Sequence, residues 1–187
     1  MHENWVFGYG SLMWRPGFAF AEQRRARLRG LHRRLCVYSH VHRGTPERPG
    51  LVMGLDRGGA CRGIAFRVEP EDWPETLAYL RAREQVTNVY LEVSRPVQLL
   101  GHDAREVTAV AFAVDRSHSQ YAGKLGLEAQ LALIGQGHGI SGPCADYVLS
   151  TVAHLRELGV EDRLLQTLAE RLAPEAGYAA RARFLRT

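Results

Sequence analysis

Residues 62–84 read RGIAFRVEPEDWPETLAYLRARE, and the hydrophobic period changes inside this stretch. Across 62–68 the pattern alternates: Ile64, Phe66 and Val68 share one face, Ala65 and Arg67 the other, which is the period of a strand. Across 72–84 apolar residues recur at Trp73, Leu77 and Leu80, which is the period of a helix. Pro74 falls in the first turn of that helix, where a missing N–H costs nothing. Upstream, 5–9 predicts a short strand, and 28–39 and 50–55 predict two more. The loop between the latter two begins His40-Val41-His42-Arg43-Gly44-Thr45-Pro46, and Gly44, Pro46 and Pro49 favour turns over a ladder. Downstream, 89–99 and 107–114 return to strand character, with Pro96 implying an edge or a bulge. The last third is helical over 125–136, 145–158 and 162–172. The run 137–143 breaks the first of these from the second, and Gly159 stands where a helix C-terminal glycine belongs. Strands first and helices late predict an α+β fold with a mostly antiparallel sheet, curled into a small barrel.

The 187 residues suit one domain, 1–187, around one sizeable core. Hydrophobic residues at 45% and charged residues at 24% are those of an ordinary globular protein. No apolar run reaches the roughly 18 residues of a membrane span. The start, Met1-His2-Glu3-Asn4-Trp5, lacks the basic-then-apolar pattern of a secretory signal, so the cytoplasm is the expected location. Cys36, Cys61 and Cys144 are far apart and form no Cys-x-x-Cys pair, which speaks against a zinc ribbon, a thioredoxin-like motif or a disulfide framework. They read as small core residues. The net charge of +4 owes much to Arg24, Arg25, Arg27, Arg29, Arg33 and Arg34, which read as a solvated face or as a contact for an anion. No aromatic residue interleaves between Phe20 and Tyr38, so base stacking on this cluster is not expected. Arg181, Arg183 and Arg186 read as a solvated tail.

Four constellations could carry chemistry. Glu84 continues the stripe of Trp73, Leu77 and Leu80. A carboxylate on a core-facing side is costly unless it is paired or functional, and burial would raise its pKa toward that of a useful base. The alternative is a frayed helix end with Glu84 exposed or paired with Arg81 or Arg83. Next, Phe7-Gly8-Tyr9-Gly10-Ser11-Leu12 follows the first strand. Its glycines let the backbone turn sharply and present consecutive N–H groups to an anion, although a plain strand-end turn fits equally. It is neither a dinucleotide fingerprint nor a P-loop nor a nucleophile elbow, since Met13 stands where a third glycine is needed and no Gly-Lys-Ser/Thr or Gly-x-Ser-x-Gly is present. In the loop from Ser39, His40 and His42 have no acidic or histidine partner at a metal-binding spacing, and Arg43 reads as an anion clamp or an ordinary surface residue. Tyr147, beside Val148, Val152 and Leu155, reads as a packed tyrosine with one hydrogen bond.

Together these segments resemble the ChaC-like glutathione-specific γ-glutamylcyclotransferases, within the γ-glutamylcyclotransferase-like superfamily. The pieces that carry the resemblance are Val6-Phe7-Gly8-Tyr9-Gly10-Ser11-Leu12-Met13-Trp14, Ser39-His40-Val41-His42-Arg43-Gly44-Thr45-Pro46 with Pro49-Gly50, Tyr79-Leu80-Arg81-Ala82-Arg83-Glu84, and Tyr147-Val148. The resemblance implies a small β-barrel with helices packed around it and cleavage of glutathione to 5-oxoproline and Cys-Gly. Glu84 would be the base. Tyr9, Gly10, Ser11 and Leu12 would hold the γ-glutamyl group through backbone amides, with Ser39, Arg43 and Tyr147 as further substrate contacts. It implies no metal or other cofactor, and a small-molecule partner, reduced glutathione, rather than a nucleic acid or a membrane. One departure stands out: in Val86-Thr87-Asn88-Val89-Tyr90, Asn88 occupies a place where the family often carries glycine, which bears on the mobility of this loop and on substrate selectivity.

Overall fold

A computed structural model describes residues 3–173, so the tail arginines Arg181, Arg183 and Arg186 lie outside the described residues. Strands β1 (Asn4–Gly8), β2 (Glu22–Ser39), β3 (Gly50–Val68), β4 (Tyr90–Leu99) and β5 (Glu106–Val114) close into a barrel in the order β1-β3-β2-β4-β5. Pairing is antiparallel for β1 with β3, β2 with β4, and β4 with β5. It is parallel where β5 meets β1 and β3. Helix α1 (Trp73–Glu84) follows β3, and α2 (Leu127–Gln136), α3 (Cys144–Glu157) and α4 (Arg163–Leu172) follow β5. The architecture is α+β with a mostly antiparallel barrel.

The described residues divide into two compact units, one of 3–34 with Met53–Tyr121, the other of Leu35–Val52 with 122–173. In the first, β1 runs between β3 and β5, and Trp5, Val6 and Phe7 are all buried. A strand covered on both faces needs an unbroken apolar run, as here. Val6, Leu12, Val68, Leu80 and Phe112 form one core cluster, with Trp73, Tyr79 and Tyr90 against its edge. Complete burial of Leu80 from α1 stabilises the unit by about 1.5–3 kcal/mol. In the second unit, Ile134 of α2, Val148, Val152 and Leu155 of α3, and Leu165, Leu168 and Ala169 of α4 are buried as the three helices pack together. Asp162 caps α4, accepting from the Leu165 N–H at 3.1 Å, and Gly159 ends α3 at φ 66°.

Two strand expectations differ from the structure. The pieces 50–55 and 62–68 belong to one strand, β3, which passes through Gly58 and Gly59 at φ 101° and 65°. Glycines in that φ region let a long strand bend without ending. Strand β2 begins at Glu22 rather than 28: Arg25, Arg27 and Arg29 point outward and alternate with buried Ala26 and Leu28. Pro96 pairs with Thr108 on one side, while the β2–β4 register covers only 97–99, so its missing N–H falls where β4 lacks that second neighbour. All three cysteines are buried, and none forms a disulfide among the described residues. Among the described residues no helix is long and apolar enough to cross a membrane.

Candidate active site

Strand β1 ends at Gly8, and the chain folds back at once into a single 3-10 turn, Ser11–Met13. A Cβ on Gly8 would press on Leu12 at 3.1 Å, and a Cβ on Gly63 would overlap the Gly8 carbonyl and the Phe7 ring. The turn is closed by Met13 N–H to Gly10 O at 2.9 Å and by Arg15 N–H to Ser11 O at 2.8 Å. Leu12 and Met13 are buried, which fixes the turn from below. Arg33 of β2 supports it from the side, donating to Tyr9 O at 2.6 Å and to Arg62 O at 2.7 Å. The first amides of such a turn have no acceptor within it, and Ser11 and Leu12 hold those positions.

Glu84 is the last residue of α1, and 17% of its side chain is exposed. It lies one turn beyond Leu80, as its place on the helical stripe predicts. Burial pushes its carboxyl above the usual glutamate value, while Arg83, with Nε 3.2 Å from Glu84 Oε1, pulls the other way without cancelling the rise. The same guanidinium donates to Ser11 Oγ at 2.7 Å, to Tyr79 Oη at 3.0 Å and to the Arg15 carbonyl at 2.8 Å. Glu84 and Ser11 of the 9–12 turn therefore share one guanidinium. After Glu84 the chain reverses through Asn88 at φ 58°. Asparagine tolerates that left-handed backbone better than any other residue except glycine, which accounts for Asn88 at a glycine-like position.

Ser39, Arg43 and Tyr147 come together in the other unit. Ser39 Oγ accepts from the Arg43 N–H at 2.9 Å. The Arg43 guanidinium lies 5.5 Å from the centre of the Tyr147 ring and donates to the carbonyls of Ser141 and Pro143. These carbonyls belong to a small hairpin, β6 (His138–Gly139) with β7 (Gly142–Pro143), so Arg43 braces it. Gly44, Gly50, Gly137 and Gly139 line this region, and a Cβ on any of them would overlap neighbouring backbone. Backbone against backbone is why glycine recurs there. His42 Nδ1 sits 3.0 Å from Ser141 Oγ, and among the described residues no cluster of His, Cys, Asp and Glu could hold a metal. The Cys144 thiol, pushed up by burial, bonds to the Leu51 carbonyl at 3.1 Å.

Two residues have a larger part than the sequence conveys. Arg83 reads as a possible partner of Glu84, but its acceptor on Ser11 is 72 positions away, and no local pattern announces it. Asp56 of β3 has a fully buried carboxylate that receives Arg34 at 3.1 Å, Arg116 at 2.7 Å, the Tyr121 hydroxyl at 2.9 Å and its neighbour's N–H, that of Arg57, at 2.8 Å. Burial alone would raise this carboxyl, but the bonds from Arg116, Tyr121 and the Arg57 amide hold it well below the usual carboxylate range.

The family model for ChaC-like protein matches residues 4–174. The glutathione-specific γ-glutamylcyclotransferase of Escherichia coli (strain K12) is 35% identical over 164 residues, covering 88% of this chain and 70% of that one. The glutathione-specific γ-glutamylcyclotransferase 1 of Mus musculus is 32% identical over 172 residues, covering 89% and 76%. A solved yeast γ-glutamyl cyclotransferase specific to glutathione superimposes with a TM-score of 0.83 at 22% identity, over 92% of this chain and 96% of that one, which is a likeness of fold. The matched segment contains the turn after β1, the 39–46 loop and the end of α1, and this chain belongs to the ChaC-like protein family.

Proposed function

We propose that this chain cleaves glutathione by intramolecular cyclisation, giving 5-oxoproline and Cys-Gly, with Glu84 as the general acid and base. The observation that carries the reading is the mostly buried Glu84 carboxyl, raised by burial and joined through Arg83 to the turn that follows β1. The relatives from Escherichia coli and Mus musculus, named for glutathione-specific cyclotransfer, supply the substrate class.

The chemistry asks little of the protein. The α-amine of the γ-glutamyl unit gives its proton to Glu84 and attacks the side-chain carbonyl carbon of the same unit. A C–N bond forms and closes a five-membered ring through a tetrahedral oxyanion. Glu84 returns the proton to the cysteinyl nitrogen as the original amide C–N bond breaks, and the ring nitrogen passes its surplus proton by the same carboxylate to the departing amine. Atoms balance without water, and no nucleophilic side chain takes part. Both reacting groups lie in one molecule, where effective molarities reach about 10⁵–10⁸ M, so holding the substrate folded does much of the work. A carboxyl raised toward neutral pH can both take and return the proton. Amides of Gly10, Ser11 and Leu12 are assigned to the oxyanion, and the turn from Tyr9 to the γ-glutamyl group. Ser39, Arg43 and Tyr147 are carried as further substrate contacts.

The test is chromatographic detection of 5-oxoproline and Cys-Gly after incubation with reduced glutathione, beside a parallel reaction with γ-glutamyl-alanine. Turnover of glutathione far above that of γ-glutamyl-alanine is the expected result. The reverse ranking would assign the chain to other γ-glutamyl compounds, and no 5-oxoproline from either would end the cyclotransferase reading.

A further inference from the structure

We propose that Arg83 is the positioning residue of this site, a clamp that holds the turn after β1 against the last turn of α1 so that the amides of one and the carboxylate of the other keep a fixed separation. The role in catalysis rests on the cyclotransferase reading above; the clamp itself is read from the structure. One planar guanidinium serves two segments, the turn after β1 and α1 itself. Its Nη2 donates to Ser11 Oγ, its Nη1 to the Arg15 carbonyl and the Tyr79 hydroxyl, and its Nε faces Glu84. Ser11 and Arg15 are the two ends of the turn, so both are tied to α1 at once. The strap continues beyond them. Gly17, at φ 76°, passes so close to the Tyr79 hydroxyl that a Cβ would overlap it, and Phe18 meets the Tyr79 ring edge-on at 6.4 Å.

The arrangement calls for arginine. A lysine ammonium is a point charge on a flexible stem and cannot reach acceptors in these separate directions, whereas the guanidinium fork is rigid. The turn has a second anchor, Leu12, which packs with Leu80 in the core cluster. Removal of Arg83 therefore loosens the rim of the turn and leaves the fold standing. Arg83 is also the charged group that acts on Glu84, so its charge and its geometry can be separated by substitution.

The experiment compares the unsubstituted 187-residue chain with its Arg83→Met and Arg83→Lys variants, by hydrogen exchange at the 13–15 amides and by the pH dependence of kcat for glutathione. Exchange at these amides should rise about ten- to hundredfold in both variants, as expected for loss of a charge-assisted bond. A misplacement of about 1 Å costs around a hundredfold, so kcat should fall about ten- to hundredfold in both. The acid limb of the kcat profile should move to higher pH in Arg83→Met, where the cation is gone, and stay in place in Arg83→Lys. Wild-type exchange in both variants would overturn the clamp. Faster exchange with unchanged kcat would overturn the positioning role. Should the wild-type chain turn over no γ-glutamyl compound, the functional reading fails separately, and exchange alone decides the clamp.

Discussion

Ser11, at the head of the turn after β1, and Glu84, at the end of α1, meet the same guanidinium: Arg83 donates to Ser11 Oγ at 2.7 Å and holds its Nε 3.2 Å from Glu84 Oε1. This arrangement answers the difficulty posed by a carboxylate on the core-facing stripe of a helix. Burial disfavours the charge, and the adjacent cation offsets part of that cost while leaving the group a stronger base than an exposed glutamate. The strain of keeping such a group has consequences for stability.

Glu84→Gln should stabilise the protein at neutral pH. The Glu84 carboxyl is raised in the folded state above its ordinary value near 4.5, so the folded chain binds the proton more tightly than the unfolded one. Its contribution is fully present below pH 4.5 and is lost as pH rises through the folded value. Glutamine does not titrate. The gap between variant and wild type should therefore open as pH rises above about 4.5 and close below it, as checked by denaturant unfolding across that range.

Asp56→Asn should act in the opposite sense. It removes a buried charge that serves Arg34, Arg116 and Tyr121 together. Because the side chains of Arg34 and Arg116 remain 25% and 44% exposed, water takes over part of their solvation, and the loss should be about 1.5–3 kcal/mol rather than the larger penalty of a sealed pair. The wild-type contribution is present above the ordinary aspartate value of 3.8 and is lost as pH falls through the lowered folded value. The difference between the two proteins in urea unfolding should shrink under strong acid.

Asn88→Gly should be close to neutral, and Asn88→Ala should cost about 1–2 kcal/mol, because Asn88 holds φ 58°. Equal stability of the alanine and glycine variants in thermal unfolding would contradict the backbone geometry of the loop between α1 and β4.

The elements that were legible in the sequence are those whose signal is local. The period change across 62–84 places the end of β3 and all of α1, down to Pro74 in the first turn. Glu84 is singled out because a carboxylate on an apolar stripe conflicts with its neighbours. What escapes notice depends on distant partners. The Asp56 network draws on Arg34, Arg116 and Tyr121, which only folding brings together. The tie from Arg83 to Ser11 is likewise long-range. The β6–β7 hairpin has strands of two residues each, too short for any period to register. The first six residues of β2, 22–27, are hidden because Ala26 is their one apolar member, so no alternation registers.

The most direct measurement is steady-state formation of 5-oxoproline and Cys-Gly from saturating reduced glutathione by Glu84→Gln beside the wild-type chain, with glutathione binding followed by calorimetry. Glutamine preserves size and most hydrogen bonding but cannot accept the amine's proton. The account predicts that kcat falls about 10²–10⁴-fold while folding and binding persist. A variant that still folds and retains the kcat of the wild type would contradict it, and Glu84 would then be a buried partner of Arg83 and not the base.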